Sequence, residues 1–212
     1  RFQELGGKLY CNTPVSRIVL RNKKAVGIET ADQKEVMADY VISSVDTMEM
    51  FEKLVGKEYM DSKWQSCYSD SEKYPLFSAV QAAFVVDAEA YDKKGTIFFD
   101  CFPFETGGKK IDRISVKSYE YEPDFAPAGK VVLQVNVPQF DQEYFYWKRL
   151  SRTEYKSQKE MAASAVEERL LRQFPKLRGH IEFLDCWTPL TYERYCNAYH
   201  GAYMSFITRK GV

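Results

Sequence analysis

Few residues in this 212-residue chain have the type and spacing to do chemistry. There are only two histidines. His180 follows Gly179 at the start of a predicted strand, with no partner at a telling spacing, and reads as an ordinary surface histidine. His200 lies in the loop Asn197-Ala-Tyr-His-Gly201, where a structural role is the simpler reading. Gly6-Gly7 and Gly107-Gly108 lack both the GxGxxG spacing and a following Lys-Ser/Thr, so they read as turns rather than phosphate loops. Glu167-Glu168 falls on the polar side of a predicted helix and reads as solvated charge. Cys11, Cys67, Cys101, Cys186 and Cys196 form no CxxC pair and no Cys/His pattern suited to zinc. The residues alone therefore assign no catalytic group and no metal. The aromatic count is high, with 15 Tyr, 14 Phe and 3 Trp, and any surplus over the needs of the core can line an apolar cleft.

The elements that must position these residues are mostly strands. Lys8–Cys11, Val15–Arg21, Ala25–Thr30, Glu35–Met37 and the apolar run Tyr40-Val-Ile42 predict a small meander ending in a buried core strand. Thr47–Val55 carries Met48, Phe51, Leu54 and Val55 at helical spacing, stopped by Gly56. Further strands are predicted over 77–87, 96–102, 114–121, 130–137 and 180–187. In Lys130–Val137, Val131, Leu133, Val135 and Val137 share one face, with Gln134 and Asn136 opposite, so the sheet should have one solvated or ligand-facing side. Ser151-Arg-Thr-Glu154 is a capping box, and Ala162, Val166, Leu170 and Phe174 continue a helix that Pro175 closes.

Composition removes several function classes. Lys+Arg and Asp+Glu both number 30, which gives no basic nucleic-acid footprint. No apolar run approaches a membrane span. An odd number of cysteines in a chain of this size predicts free thiols in a reducing compartment, hence the cytoplasm. The chain opens on Arg1-Phe-Gln-Glu-Leu5, which reads as a helix tail, and closes just after the strand-like Tyr203–Ile207. Both ends suggest a piece of a longer protein without a complete catalytic site.

An ordered set of short motifs resembles one family. Leu5-Gly-Gly-Lys-Leu9, Asn12-Thr-Pro-Val-Ser-Arg-Ile18, Ala25-Val-Gly-Ile-Glu-Thr30 and Ala38-Asp-Tyr-Val-Ile-Ser-Ser44 resemble the return segment through the FAD domain of phytoene desaturase-like flavoproteins, in the wider amine-oxidase class. Phe174-Pro-Lys-Leu177, Thr188-Pro-Leu-Thr-Tyr-Glu-Arg194 and Gly201-Ala-Tyr-Met204 resemble the end of that family's substrate domain. The resemblance implies a parent enzyme in which FAD accepts hydride from an apolar or amine substrate. It implies that Val15 meets the adenine end of FAD through its main chain, with Ser43 and Ser44 beside it. It also implies that Tyr192, Tyr195, Tyr199 and Tyr203 face the substrate cavity. The family's GxGxxG turn and its C-terminal Gly-rich segment have no counterpart here, so the chain alone should not bind FAD tightly.

These readings predict an α+β fold with a mixed, mostly antiparallel sheet flanked by helices. Residues 1–47 and 189–212 would belong to the flavin domain's side, and 48–188 to a substrate-binding domain. The partners expected are the rest of the FAD domain and an apolar or amine small molecule, not nucleic acid. Such a parent could also associate with a membrane surface, and apolar faces left open on this chain should favour self-association. The alternatives are a stand-alone module that binds an apolar ligand or a protein without catalysis, and a purely structural piece of an assembly.

Overall fold

The strands and helices predicted from alternation form an α+β fold in the computed structural model, which describes residues 1–122 and 124–207. Pro123 and residues 208–212, the end of the stretch 189–212 expected on the flavin domain's side, lie outside the described residues. The chain divides into two compact units, one up to Ser66 and one from Cys67 onward.

The first unit holds an antiparallel sheet of β1 (Val15–Arg21), β2 (Lys24–Thr30) and β3 (Glu35–Met37), in that order. Its turns use Asn22, Lys23 and Gln33 at positive φ, which tightens the connections. The helix that follows starts as α1 (Thr47–Glu49), capped by the Asp46 carboxylate on the N–H groups of Met48 and Glu49. It continues as a π-helix over Met50–Val55 and stops at Gly56, φ 113°. A short helix, α2 (Ser62–Ser69), then leads across the boundary between the units.

Two expectations fail in this unit. Lys8–Cys11 is not a strand, and neither is Tyr40-Val-Ile42, the predicted buried core strand. Tyr40 is 88% exposed and Ile42 93% exposed. Residues 39–45 make no backbone–backbone hydrogen bond among the described residues. The apolar run meets the compositional requirement for a strand, but no neighbour takes up its ladder or its side chains.

The second unit is built on an antiparallel sheet of β4 (Leu76–Asp87), β5 (Thr96–Thr106), β6 (Lys109–Ser118), β7 (Lys130–Gln139) and β8 (Ile181–Trp187). Its order is β5-β6-β7-β4-β8, and β9 (Met204–Phe206) pairs with the start of β4. The β5–β6 hairpin turns at Gly107 and Gly108, with φ 64° and 73°, a positive pair suited to a tight hairpin. Any Cβ on Gly107 would run into the Gln139 side chain, so this glycine pair is a packing requirement and not an anion cradle.

Strand alternation gives the sheet two unlike faces. On one face Val80, Ala82, Phe84 and Val86 of β4 stand opposite Val137, Val135, Leu133 and Val131 of β7, and Ile114 and Val116 extend the layer. Helix α3 (Asp141–Lys148), followed by α4 (Arg152–Gln173), contributes Trp147, Ala162, Val166 and Leu170 to the same core. The capping box forms as read, with Ser151 N–H donating to Glu154 Oε2 at 2.9 Å and Glu154 N–H to Ser151 Oγ at 3.3 Å.

A bulge in β5 between Asp100 and Phe104 leaves two carbonyls off the ladder. Arg169 of α4, 7% exposed, donates to both, Phe102 O and Pro103 O, at 3.1 Å each. A buried guanidinium is tolerable here because its donors meet acceptors that need them. The other face of the sheet is polar, and it carries the candidate site.

Candidate functional site

Two rows of side chains cross the polar face, placed by register. One row runs Ser115, Asn136, Gln81, Trp187 over β6, β7, β4 and β8. The other runs Thr96, Lys117, Gln134, Ala83. Helix α5 (Pro189–Cys196) brings Tyr192 to the Trp187 end, and a single 3-10 turn over Tyr199–Gly201 brings Tyr203 above Asn136. That turn docks closely: Gly201 has φ 64°, any Cβ there would strike the Pro189 carbonyl, and Ser78 Oγ donates to Gly201 O. Apart from Ala83, the residues of the two rows join Tyr119, Tyr192 and Tyr203 in walling a cavity of about 450 Å³.

Its hydrogen bonds form one array. Gln81 Oε1 accepts from Tyr192 OH at 2.6 Å, Gln134 Nε2 at 2.7 Å and Trp187 Nε1 at 2.8 Å. Trp187 Nε1 also donates to Tyr192 OH at 2.7 Å. Tyr119 OH donates to Gln134 Oε1, and Asn136 Nδ2 donates to Tyr203 OH at 2.8 Å. An indole N–H can only donate, so the network itself fixes which end of the Gln81 amide faces it. The rings of Tyr192 and Tyr203 stack with centroids 4.9 Å apart.

Burial is the first cause of the raised pKa of both Tyr192 and Tyr203, which therefore stay neutral and serve as hydrogen-bonding walls, not as bases. Lys117 sits 4.6 Å from the Tyr119 ring centroid. Its ammonium is held above the ordinary lysine range chiefly by a hydrogen bond with Tyr121. It is a fixed positive charge at the cavity wall.

The four tyrosines named from the sequence separate in the structure. Tyr192 and Tyr203 line the cavity. Tyr199 packs on Tyr68 and on His200, with the His200 ring at 3.9 Å, and Tyr195 is 73% exposed with Arg194 over its ring. His200 Nδ1 meets Asp141 Oδ1 at 2.7 Å inside a cluster with Tyr144 and Phe145, and His180 Nδ1 meets Asp87 Oδ2 at 2.7 Å on the surface. Gln81, Gln134, Asn136, Lys117 and Trp187 were not named as candidates from the sequence. A signal existed for three of them: Gln134 and Asn136 oppose the apolar face of β7, and Gln81 is, with Ser78, one of two polar residues in the apolar run 76–86.

In the first unit, Val15 opens β1 opposite Thr30 and is 37% exposed, while Ser43 and Ser44 lie exposed in the unpaired stretch 39–45. Tested against FAD, which the sequence resemblance implies, these residues fit an edge contact only. Unpaired main-chain N–H and C=O groups are on offer, but among the described residues no glycine turn leads from a strand into a helix N-terminus to take a pyrophosphate. Among the described residues, no three His, Cys, Asp or Glu side chains converge as a metal site, and no helix is long and apolar enough to cross a membrane.

The fold is shared with proteins of known structure. An oxidoreductase from Methanosarcina mazei superposes with a TM-score of 0.53 at 19% identity, over 88% of this chain and 39% of that one. A protein from Pyrococcus furiosus superposes with a TM-score of 0.54 at 17% identity, over 87% of this chain and 38% of that one.

The sequence is similar to that of plant prolycopene isomerases. The chloroplastic enzyme of Arabidopsis thaliana is 26% identical over 98% of this chain, that of Daucus carota 24% over 98%, and prolycopene isomerase 2 of an Oncidium hybrid cultivar 25% over 93%. The resemblance to phytoene desaturase-like oxidoreductases is thus borne out at the level of the family. No family model matches the chain. The chain spans about a third of the length of these relatives, 34–35%.

Proposed function

We propose that this chain forms the substrate-side wall of an FAD-dependent oxidoreductase of the carotenoid isomerase and desaturase type. The observation that carries the reading is the polar cavity on the sheet face, in a chain similar over 93–98% of its length to prolycopene isomerases. The second unit acts as the substrate-binding domain. Its packed face supplies rigidity and its open face orients the substrate through the Gln81-centred array.

Val15, Ser43 and Ser44 lie beside the adenine end of the flavin, with pyrophosphate binding left to the rest of the whole protein. Substrate contact falls to Tyr192 and Tyr203, while Tyr199 supports the turn that presents Tyr203, and Tyr195 lies outside the cavity wall. Burial holds Tyr192 and Tyr203 neutral and the cavity's amides do not titrate, so these groups do not act as general bases. Bond chemistry is accordingly the cofactor's task, and this chain's task is to bind, orient and exclude water.

The test is a flavin titration of the full-length protein and of this chain alone. The reading expects a flavin spectrum in the former and no saturable uptake by the latter. A full-length protein that purifies colourless and takes up no added FAD overturns it, and the ligand-binding module without catalysis becomes the working account.

A further inference from the structure

The cavity's hydrogen bonds are unevenly satisfied, and the remainder describes a ligand. Gln81 is 6% exposed, and its Oε1 is saturated by Tyr192, Gln134 and Trp187. Because the indole can only donate, the Gln81 Nε2 must point the other way, toward the cavity. One of its two N–H groups is directed to Tyr203 OH, while the other meets no acceptor among the described residues, and because Gln81 lines the cavity a bound molecule can reach it. Two strands away across β7, in the neighbouring row of the same face, stands Lys117, whose ammonium lies over the Tyr119 ring. The open groups on this wall are thus an amide donor and a cation.

We propose that the cavity holds the oxygen-bearing end, a carboxylate or more weakly a hydroxyl, of an otherwise apolar substrate, with Gln81 Nε2 donating to it and Lys117 supplying the charge. The inference rests on the reading that this cavity is the substrate wall, and it names the substrate's class. An all-hydrocarbon substrate would cover the buried amide without offering it an acceptor, and affinity would fall for each N–H so covered. A substrate ending in an acceptor satisfies the amide and gains a charge-assisted contact where the end is ionised. Stacked Tyr192 and Tyr203 offer the apolar remainder a flat aromatic wall.

The test compares three molecules sharing one fifteen-carbon isoprenoid chain: farnesoic acid, farnesol and farnesene. Each is presented to the full-length protein in the same detergent, with binding read from tryptophan fluorescence and flavin content from absorbance of the same sample. The wild-type protein should bind the acid most tightly and the hydrocarbon at least tenfold more weakly. Gln81→Glu keeps an oxygen for the three donors but replaces the amide N–H groups with a second carboxylate oxygen. It should weaken the acid at least tenfold and retain farnesol, whose hydroxyl can donate.

Lys117→Met changes a half-buried residue outside the Gln81 array and serves if Gln81→Glu does not fold. It should remove the acid's advantage over farnesol. Equal binding of all three by the wild type, no binding of any, or an unchanged order in the folded variants overturns the inference. Flavin present without that order of affinity overturns the inference alone, whereas a flavin-free sample overturns the functional reading whatever the order.

Discussion

The two faces of the larger sheet share ten residues of β7 and twelve of β4, yet they serve different ends. On one, Phe84 and Leu133 face each other at 0% exposure and the helices close over them. On the other, Gln81 faces Asn136 three residues along the same strands, and the space above them stays open. A period of two lets one pair of strands specify a packed core and a hydrogen-bonding surface independently. Stability should therefore respond to odd positions along β7, and recognition to even ones.

Mutations can break that division, beginning with the largest effect. Phe84→Ala removes a fully buried ring and should cost about 3–5 kcal/mol of stability, read by urea unfolding. Arg169→Met leaves the carbonyls of Phe102 and Pro103 without their donor in a buried bulge. It should cost roughly 2–3 kcal/mol, with hydrogen exchange rising first in β5. Asn136→Ala, on the open face, removes only the bond to Tyr203 OH and should cost about 1 kcal/mol or less while weakening ligand binding. A core-sized loss at Asn136 would show that both faces are structural.

The smallest effect sharpens the contrast from the core side. Tyr91 OH is buried without a partner, and burial pushes its pKa up to about 12. A raised folded-state value means its stabilising contribution is complete below the unfolded phenol value of about 10 and is lost as pH rises toward 12. Tyr91→Phe should leave stability at pH 7 nearly unchanged, because it removes an unsatisfied hydroxyl and keeps the ring against Phe174. It should also flatten the alkaline fall in melting temperature between pH 10 and 12.

Much of the fold was legible from patterning. Alternation in Lys130–Val137 gave both faces of β7, and Ser151 with Glu154 gave the start of α4 to the residue. The failures have physical causes. Tyr40-Val-Ile42 has strand composition, but a strand also needs a neighbour, and no local pattern reports one. Asp141–Lys148 mixes acids with four aromatic residues and shows no helical stripe, yet it forms α3 because Glu143 reaches back to the Phe140 N–H at 2.7 Å and Trp147 anchors in the core. The cavity was half legible. Tyr192 and Tyr203 came from the family resemblance, while Gln81 joins Gln134 and Trp187 only through the strand order β7-β4-β8, which is not sequential. Periodicity tells which face a side chain takes, not which strand will lie beside it.

The central claim is that the polar face is where substrate is held, and filling it tests that most directly. Ser115 lines the cavity and, by alternation between the core residues Ile114 and Val116, faces away from the core, so Ser115→Trp should block the space without unfolding the sheet. Measured in the full-length flavoprotein, the account predicts a fall in kcat/KM of at least tenfold, with flavin content and melting temperature held. Unchanged turnover in a folded, flavin-bearing Ser115→Trp protein would contradict it and move the substrate site elsewhere in the molecule.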